Sequence, residues 1–294
     1  MELFLMSLTT GIMVGGIYAL VALGWVLIFK CSGVLNLAMG ELTLIGAYFA
    51  YTFHQMGVPF PFAIILTLAV GIILGFLTER IFLDKLIGEP VLTVIMITVG
   101  LSFFFKGLVS YTWGTDTRVF EPAVFDIRPI SVGFLKLSPV YLWSFILAIV
   151  LLIGFVCFFK YTRWGLSMQA TADDETAALS LGVSARFVYA AAWSIAFMAA
   201  GVGGALLGNI NGINISVGYL GLLVLPAVVL GGLNSVPGAI VGGIIIGILQ
   251  NLSGTYLDQY FPGGVKEIVP FVFMVVFLLF KPYGLWGWVR IERV

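Results

Sequence analysis

Reactive chemistry is scarce in this 294-residue sequence. It has one histidine, His54, and two cysteines, Cys31 and Cys157, both flanked by apolar residues. Two such thiols exclude a disulfide framework and a zinc cluster, and read as buried free cysteines. One histidine beside a turn leaves no Ser/His/Asp arrangement for nucleophilic catalysis. There is no G-x-x-x-x-G-K-[ST] segment, so the chain has no loop of its own to cradle ATP phosphates. Charge is equally sparse, at 10% of residues, against about a quarter in ordinary soluble domains. Fourteen basic and fourteen acidic side chains cancel, which gives no sign of nucleic-acid binding. An enzyme working alone is not expected.

What is present is apolar: 61% of residues, with a mean hydropathy of +1.13. A soluble fold of this length has too little interior to hide that surface, so lipid is the expected solvent for much of it. A helix rising about 1.5 Å per residue needs roughly 20 residues to cross a hydrocarbon core of about 30 Å. Runs of that kind occur near 8–29, 34–53, 60–78, 91–111, 141–159 and 187–209, with a last one near 268–280. The first run is not expected to be a cleaved leader, since no Lys or Arg precedes it and no small-residue cleavage site follows. The expected class is all-α, a polytopic transmembrane bundle forming a single domain over 1–294.

Charge placement orients the bundle. Lys30, Arg80, Lys85, Lys160, Arg163, Arg186, Lys281, Arg290 and Arg293 fall on one side of the predicted spans. Lys106, Arg118, Arg128, Lys136 and Lys266 fall on the other, three of them in the polar loop 113–138. The positive-inside bias predicts an N-terminus outside, a cytoplasmic C-terminus, and an odd number of crossings. The loop 113–138, with Pro122 and Pro129, is then extracytoplasmic, either a docking rim or an idle surface. Tyr283, Trp286, Trp288, Arg290 and Arg293 read as an interfacial anchor.

Three interruptions carry the functional reading. Asn36 and Glu41 sit inside an apolar segment, where an ionisable group costs about 2.5–3.5 kcal/mol or more unless it meets water or a partner. Asn36 and Gly40 share a helical face with Glu41 beside it, so these residues are expected to look into the protein. Alternatively, Glu41 reaches water at the interface. The second interruption is the run from Gly218 to Gln250, where Pro226, Gly231, Gly232 and Pro237 predict broken helices. The first two segments enter from opposite sides, which points to an inverted repeat with a midplane pathway. The third is R-W-G-L-S-M-Q-A-T-A-D-D-E-T-A-A-L-S-L-G-V-S-A-R at 163–186, the most hydrophilic run in the chain. It faces water on the cytoplasmic side, and its spacing predicts a short helix over 167–181 stopped at Gly182. Such a helix can fit a cleft on another protein.

Three segments resemble one family. L-N-L-A-M-G-E-L-T-L-I-G-A-Y at 35–48, A-D-D-E-T-A-A-L-S-L-G-V at 172–183 and L-P-A-V-V-L-G-G-L-N-S-V-P-G-A-I-V-G-G at 225–243 are similar, in the family's order, to the permease subunits of bacterial ABC importers for branched-chain amino acids. Relatives used for urea, short amides and aromatic acids share the pattern. The resemblance implies an inner-membrane subunit forming half of a translocation pathway. Its implied partners are a second permease, two cytoplasmic ABC ATPases, a periplasmic substrate-binding protein and the lipid bilayer. It implies no cofactor on this chain, ATP being used by the partner subunits. It assigns ATPase coupling to Ala172, Asp173, Asp174, Glu175, Thr176, Ala177, Leu181, Gly182 and Val183, within a cytoplasmic loop of about 161–186. Asn36, Met39, Gly40, Glu41, Pro226, Gly231 and Gly232 are the pathway candidates. Two positions depart from the family: Met39 stands where histidine is frequent, and Gln169 where a basic residue is. A passive channel for a small neutral solute such as urea or an amide is the competing expectation.

Overall fold

In lipid every backbone polar group must find a partner inside the protein, so the chain crosses as helices and departs from helix only where protein surrounds it. The computed structural model describes residues 1–86, 89–126, 128–132, 135–261 and 264–287; side chains of 132, 135, 136 and 175 are also outside the description. The expected anchor residues Trp288, Arg290 and Arg293 lie outside the described residues.

The elements in order are α1 (Glu2–Ser32), α2 (Met39–Gln55), α3 (Phe60–Thr78), α4 (Val91–Trp113), a two-stranded hairpin of β1 (Ile130–Val132) and β2 (Leu135–Leu137), and α5 (Pro139–Tyr161). They continue as α6 (Arg163–Asp173), α7 (Glu175–Ser180), α8 (Ala185–Asn211), α9 (Val217–Leu222), α10 (Leu225–Gly231), α11 (Val236–Tyr256) and α12 (Val265–Phe280). After Thr78, α3 continues through a π-helical turn at Glu79–Leu83 and a 3-10 turn at Asp84–Leu86. The hairpin pairs Ile130 with Leu137 in antiparallel register. Among the described residues six helices, α1, α3 with its extension, α4, α5, α8 and α11, are long and apolar enough to cross a membrane. The chain is thus a helical membrane bundle.

Burial divides the helices into a centre and a rim. α1 and α8 are buried along most of their length, whereas α4 and α5 turn most of their surface outward. The central contacts depend on glycine, because small residues let backbones approach when lipid offers no hydrophobic drive. α1 and α11 run antiparallel, fixed at one end by a 2.8 Å hydrogen bond between Ser7 and Thr255. Between these helices, a Cβ on Gly15 would stand 2.7 Å from Ile244 Cα, and one on Gly11 2.8 Å from Ile248 Cα. α2 crosses α8 where Gly46 meets the backbone of Gly201, and α3 meets α8 through Gly71 and Gly75.

Two elements break inside the bundle. α1 ends at Gly33, whose φ of 69° closes the helix with an N–H to Phe29 O bond of 2.8 Å. Residues 34–38 are not helical, and Asn36 Oδ1 accepts the Ala38 N–H at 3.0 Å, supplying a bond the helix would have made. α2 starts only at Met39, whose side chain packs at Gly24, about 12 Å back along α1 from its end. The second break separates α9 from α10 at Leu223 and Val224, with Pro226 opening α10. Beyond Gly232 the chain forms one unbroken helix, α11, across Pro237, because a proline in the first turn costs no hydrogen bond.

The carbonyls at the end of α10 are not left open. Leu285 and Trp286 donate backbone N–H groups to Leu230 O at 2.8 Å and Gly231 O at 3.1 Å. The C-terminal turn thereby caps the broken helix.

Replacing Gly46 with valine drives a side chain into the Gly201 backbone. Thermal unfolding of the purified protein should show a midpoint several degrees lower, consistent with an overpacking cost of about 1–3 kcal/mol. Gly154→Ala on α5, where a Cβ meets nothing within 4 Å, should leave the midpoint unchanged.

Candidate functional site: a midplane crossing and an exposed helical corner

The two interrupted elements meet each other. Gly40, in the first turn of α2, faces Gly218 and Gly221 of α9; a Cβ on Gly221 would stand 2.6 Å from Gly40 Cα and 2.8 Å from Thr43 Oγ1. No larger residue fits at Gly40 or Gly221 without moving backbone, whereas a Cβ on Gly218 would make ordinary contacts from 3.7 Å. Thr43 returns its hydroxyl to Met39 O at 3.0 Å, so the first turn of α2 is braced from within.

Glu41 lies beside this crossing and is buried, with 7% of its surface exposed. Its Oε2 has no hydrogen-bond partner. Ser102 and, one turn further along, Lys106 are the neighbouring polar side chains of α4. The Lys106 ammonium sits 5.2 Å from the centre of the Tyr219 ring on α9. Asn36, 1% exposed, uses Oδ1 on the backbone and leaves Nδ2 without a partner. Met39 is fully buried between α1 and α8.

The structure does not bring all expected pathway residues to this point. Pro226 is buried at the start of α10. Gly231 packs on Gly238 of α11, and Gly232, with φ of 105°, packs on Gly287. Gly231 and Gly232 build the capped end of α10, and the neighbours of these two glycines are Gly238 and Gly287, not Gly40.

On the other flank of α9 a cavity of about 990 Å³ opens between α1, α5, α8, α9, α11 and α12. Its wall includes Tyr18, Tyr219, Gln250, Asn251, Asp258, Lys266 and Glu267 among leucines and isoleucines. The Tyr18 hydroxyl donates to Gln250 Oε1 across the α1–α11 interface. Tyr219 belongs to both places, lining the cavity and contacting Lys106. Composition alone could not have selected Ser102, Lys106, Tyr18, Tyr219 or Gln250, which come from four helices. A lysine within an apolar span was the one visible signal.

The hydrophilic stretch 163–186 forms a corner of two helices, α6 and α7, where spacing predicts one. The physical reason is Asp174. Its backbone is extended, with φ of −153°, and its carboxylate accepts the Ala177 N–H at 2.9 Å, so it caps a new helix instead of continuing the old one. Asp173 closes α6 and Glu175 opens α7, so the acidic run straddles the corner. α7 stops as glycine dictates: Gly182 has φ of 85°, its N–H bonds Leu179 O, and Val183 N–H bonds Ala178 O at 3.0 Å.

The corner is exposed and firmly rooted. Asp173, Asp174, Thr176, Ala177, Leu181 and Gly182 are solvent-facing, with Ala172 and Val183 half-buried, and Leu181 is 83% exposed. Among the described side chains of α7, Ala178 alone points into the body, at 3% exposure. On one side, Thr162 caps α6 through Gly165 N–H at 3.1 Å, and Gln169 Nε2 donates to Phe159 O at 2.7 Å, folding α6 onto the end of α5. On the other, Arg186 at the start of α8 pairs with Asp84 at 3.2 Å, tying the corner to the end of α3. No group of three or more His, Cys, Asp or Glu that could hold a metal ion occurs among the described residues.

A family model described as "Branched-chain amino acid transport system / permease component" matches residues 7–278. Over 99% of its length the chain is 30% identical to the high-affinity branched-chain amino acid transport system permease protein LivH of Escherichia coli K12, covering 98% of that protein. It is 29% identical to BraD of Pseudomonas aeruginosa over 99% of the chain and 98% of the relative. Similarity extends to LivM of Escherichia coli K12, at 28% identity over 92% of the chain and 67% of the relative.

Asp174→Ala should remove the cap that starts α7, a loss of about 1 kcal/mol. Hydrogen exchange at the Ala177 amide should then accelerate about fivefold, whereas Asp174→Asn, which keeps an acceptor, should leave it close to wild type.

Proposed function

The chain belongs to the permease family of branched-chain amino acid transport systems, and from that premise we propose that it is one of two membrane subunits of an ATP-driven importer in the bacterial inner membrane. It forms half of a pathway for branched-chain amino acids or a related small solute, delivered by a periplasmic binding protein. A second, similar permease completes the pathway; the likeness of this chain to both LivH and LivM, each named for the same transport system, supports such a pair. Two cytoplasmic ABC ATPases supply the energy, and this subunit binds no cofactor.

The observation that carries the proposal is the α6–α7 corner. A water-facing pair of short helices, acidic at its bend and apolar at Leu179 and Leu181, has the shape and chemistry to seat in a cleft of another protein. A channel that opens passively has no use for such an element. Because the corner is bonded to α5 through Gln169 and to α3 through Arg186, a push on it moves both spans. Lys30, Arg80, Lys85, Lys160, Arg163, Arg186 and Lys281 accompany the corner at the same end of the bundle, which supports placing that end in the cytoplasm. The N-terminus is then outside and the C-terminus inside.

At the opposite end, the loop 114–126 is held down rather than loose. His54 Nε2 meets Pro122 O at 2.9 Å, Gln55 donates to Glu121 O at 3.2 Å, and Arg118 exchanges backbone bonds of 2.8 and 2.7 Å with Ile213. This ordered rim is a fitting platform for the binding protein.

Uptake by proteoliposomes tests the reading. With ATPases, binding protein and ATP present, a branched-chain amino acid should accumulate, and omission of the ATPases should lower the rate at least tenfold. Flux that continues unchanged without them would establish a passive channel instead.

A further inference from the structure

A charged side chain at bilayer depth must be covered by protein, paired, or set against water. Lys106 is seven residues short of the end of α4, about 10 Å below it, and is only half-buried. Among the described residues the only ion pairs are those of Asp84 with Arg80 and Arg186, so no ion pair joins Lys106 to Glu41. What Lys106 does contact is the face of Tyr219, itself 60% exposed. Glu41, for its part, keeps Oε2 unpartnered although the residue is more than nine-tenths buried. An ammonium held only by an aromatic face and a carboxyl oxygen without a partner therefore lie on the helices that meet where the two broken elements cross.

We propose that Glu41 and Lys106 form a two-point charge station for a zwitterionic solute, with Ser102 and Tyr219 positioning them. An α-amino acid carries an ammonium and a carboxylate on one carbon, matching a carboxylate on α2 and an ammonium on α4. Ser102 neighbours the Glu41 carboxylate from α4, and the Tyr219 ring holds Lys106 without neutralising it, since a cation–π contact leaves the charge free to meet an anion. Gly40, Gly218 and Gly221 bring the backbones close enough for side chains of α2, α4 and α9 to share this space. The station requires that its half-open side face water where the second permease joins, not lipid. The station rests on the importer reading above and adds to it the residues that select the solute's charge pattern.

The alternative is that the two charges only neutralise each other at long range. Uptake of L-leucine by proteoliposomes of the assembled transporter separates the two. Glu41→Gln and Lys106→Gln should each lower kcat at least tenfold with KM for the loaded binding protein unchanged. The double variant Glu41→Gln/Lys106→Gln should be as slow as the slower single one. Recovery of the double variant to within twofold of wild type, or single variants that remain within twofold, would overturn the station. If the variants fail to assemble, Ser102→Cys in a Cys31→Ala/Cys157→Ala background decides. Its modification by an anionic methanethiosulfonate should be slowed at least fivefold by L-leucine with binding protein, and absence of modification or of protection refutes the proposal. ATP-dependent uptake of an uncharged solute with none of L-leucine would overturn the station and leave the importer reading in place, whereas no ATP-dependent uptake of any solute would remove both.

Discussion

Everything in this structure depends on close approach of backbones in lipid. A helix broken in hydrocarbon leaves N–H and C=O groups that cost several kcal/mol each unless protein satisfies them. The two breaks, at 34–38 and at 223–224, are therefore possible only because α1 and α8 form a buried centre around which the shorter elements pack. Glycine makes that centre dense. Gly46 on Gly201, Gly15 on Ile244 and Gly40 on Gly221 bring helix axes nearer than side chains would allow. The carbonyls freed at the end of α10 are met by the turn at 281–287, so the last residues of the described chain stabilise a break more than fifty residues earlier.

The same constraint separates two regions with different physics. The crossing of α2 and α9 is tightly packed and holds one buried carboxylate beside one half-buried lysine. The α6–α7 corner is exposed along its outer face and held by buried Met168, Thr171 and Ala178, by the bonds of Thr162 and Gln169 to backbone, and by one surface ion pair. A surface pair of this kind is worth little as stability, roughly 0–1 kcal/mol. Its use is positional, since it joins the start of α8 to the end of α3. α8 runs from that corner to the centre of the bundle, where it touches α1, α2 and α3 through Ala196, Gly201 and Ser194. Motion imposed at the corner thus has a continuous packed route to the crossing.

Much of this was legible in residue types alone. Hydropathy placed the spans because lipid imposes length, and Gly182 announced the end of α7 because only glycine takes φ of 85° readily. Asn36 and Glu41 stood out because polar groups in apolar runs are costly. Other features were not legible. Asp174 caps a second helix through a side-chain bond that competes with helix continuation, and propensity over 167–181 does not reveal which wins. Gly231 and Gly232 are visible in sequence as a break, but their contacts with Gly238 and Gly287 are defined only by the tertiary fold. Lys106 and Tyr219 are 113 residues apart in the chain, and nothing local in either joins them to Glu41.

The account stands or falls on the corner being a dock for the ATPases. The direct measurement is the reactivity of Leu181→Cys, in a Cys157→Ser background, toward an impermeant maleimide in inside-out membrane vesicles. Labelling should be rapid with the permease alone and at least tenfold slower once the ATPase subunits are assembled on it. Equal labelling in the two states, at a site otherwise reachable from the cytoplasmic side, would contradict the account.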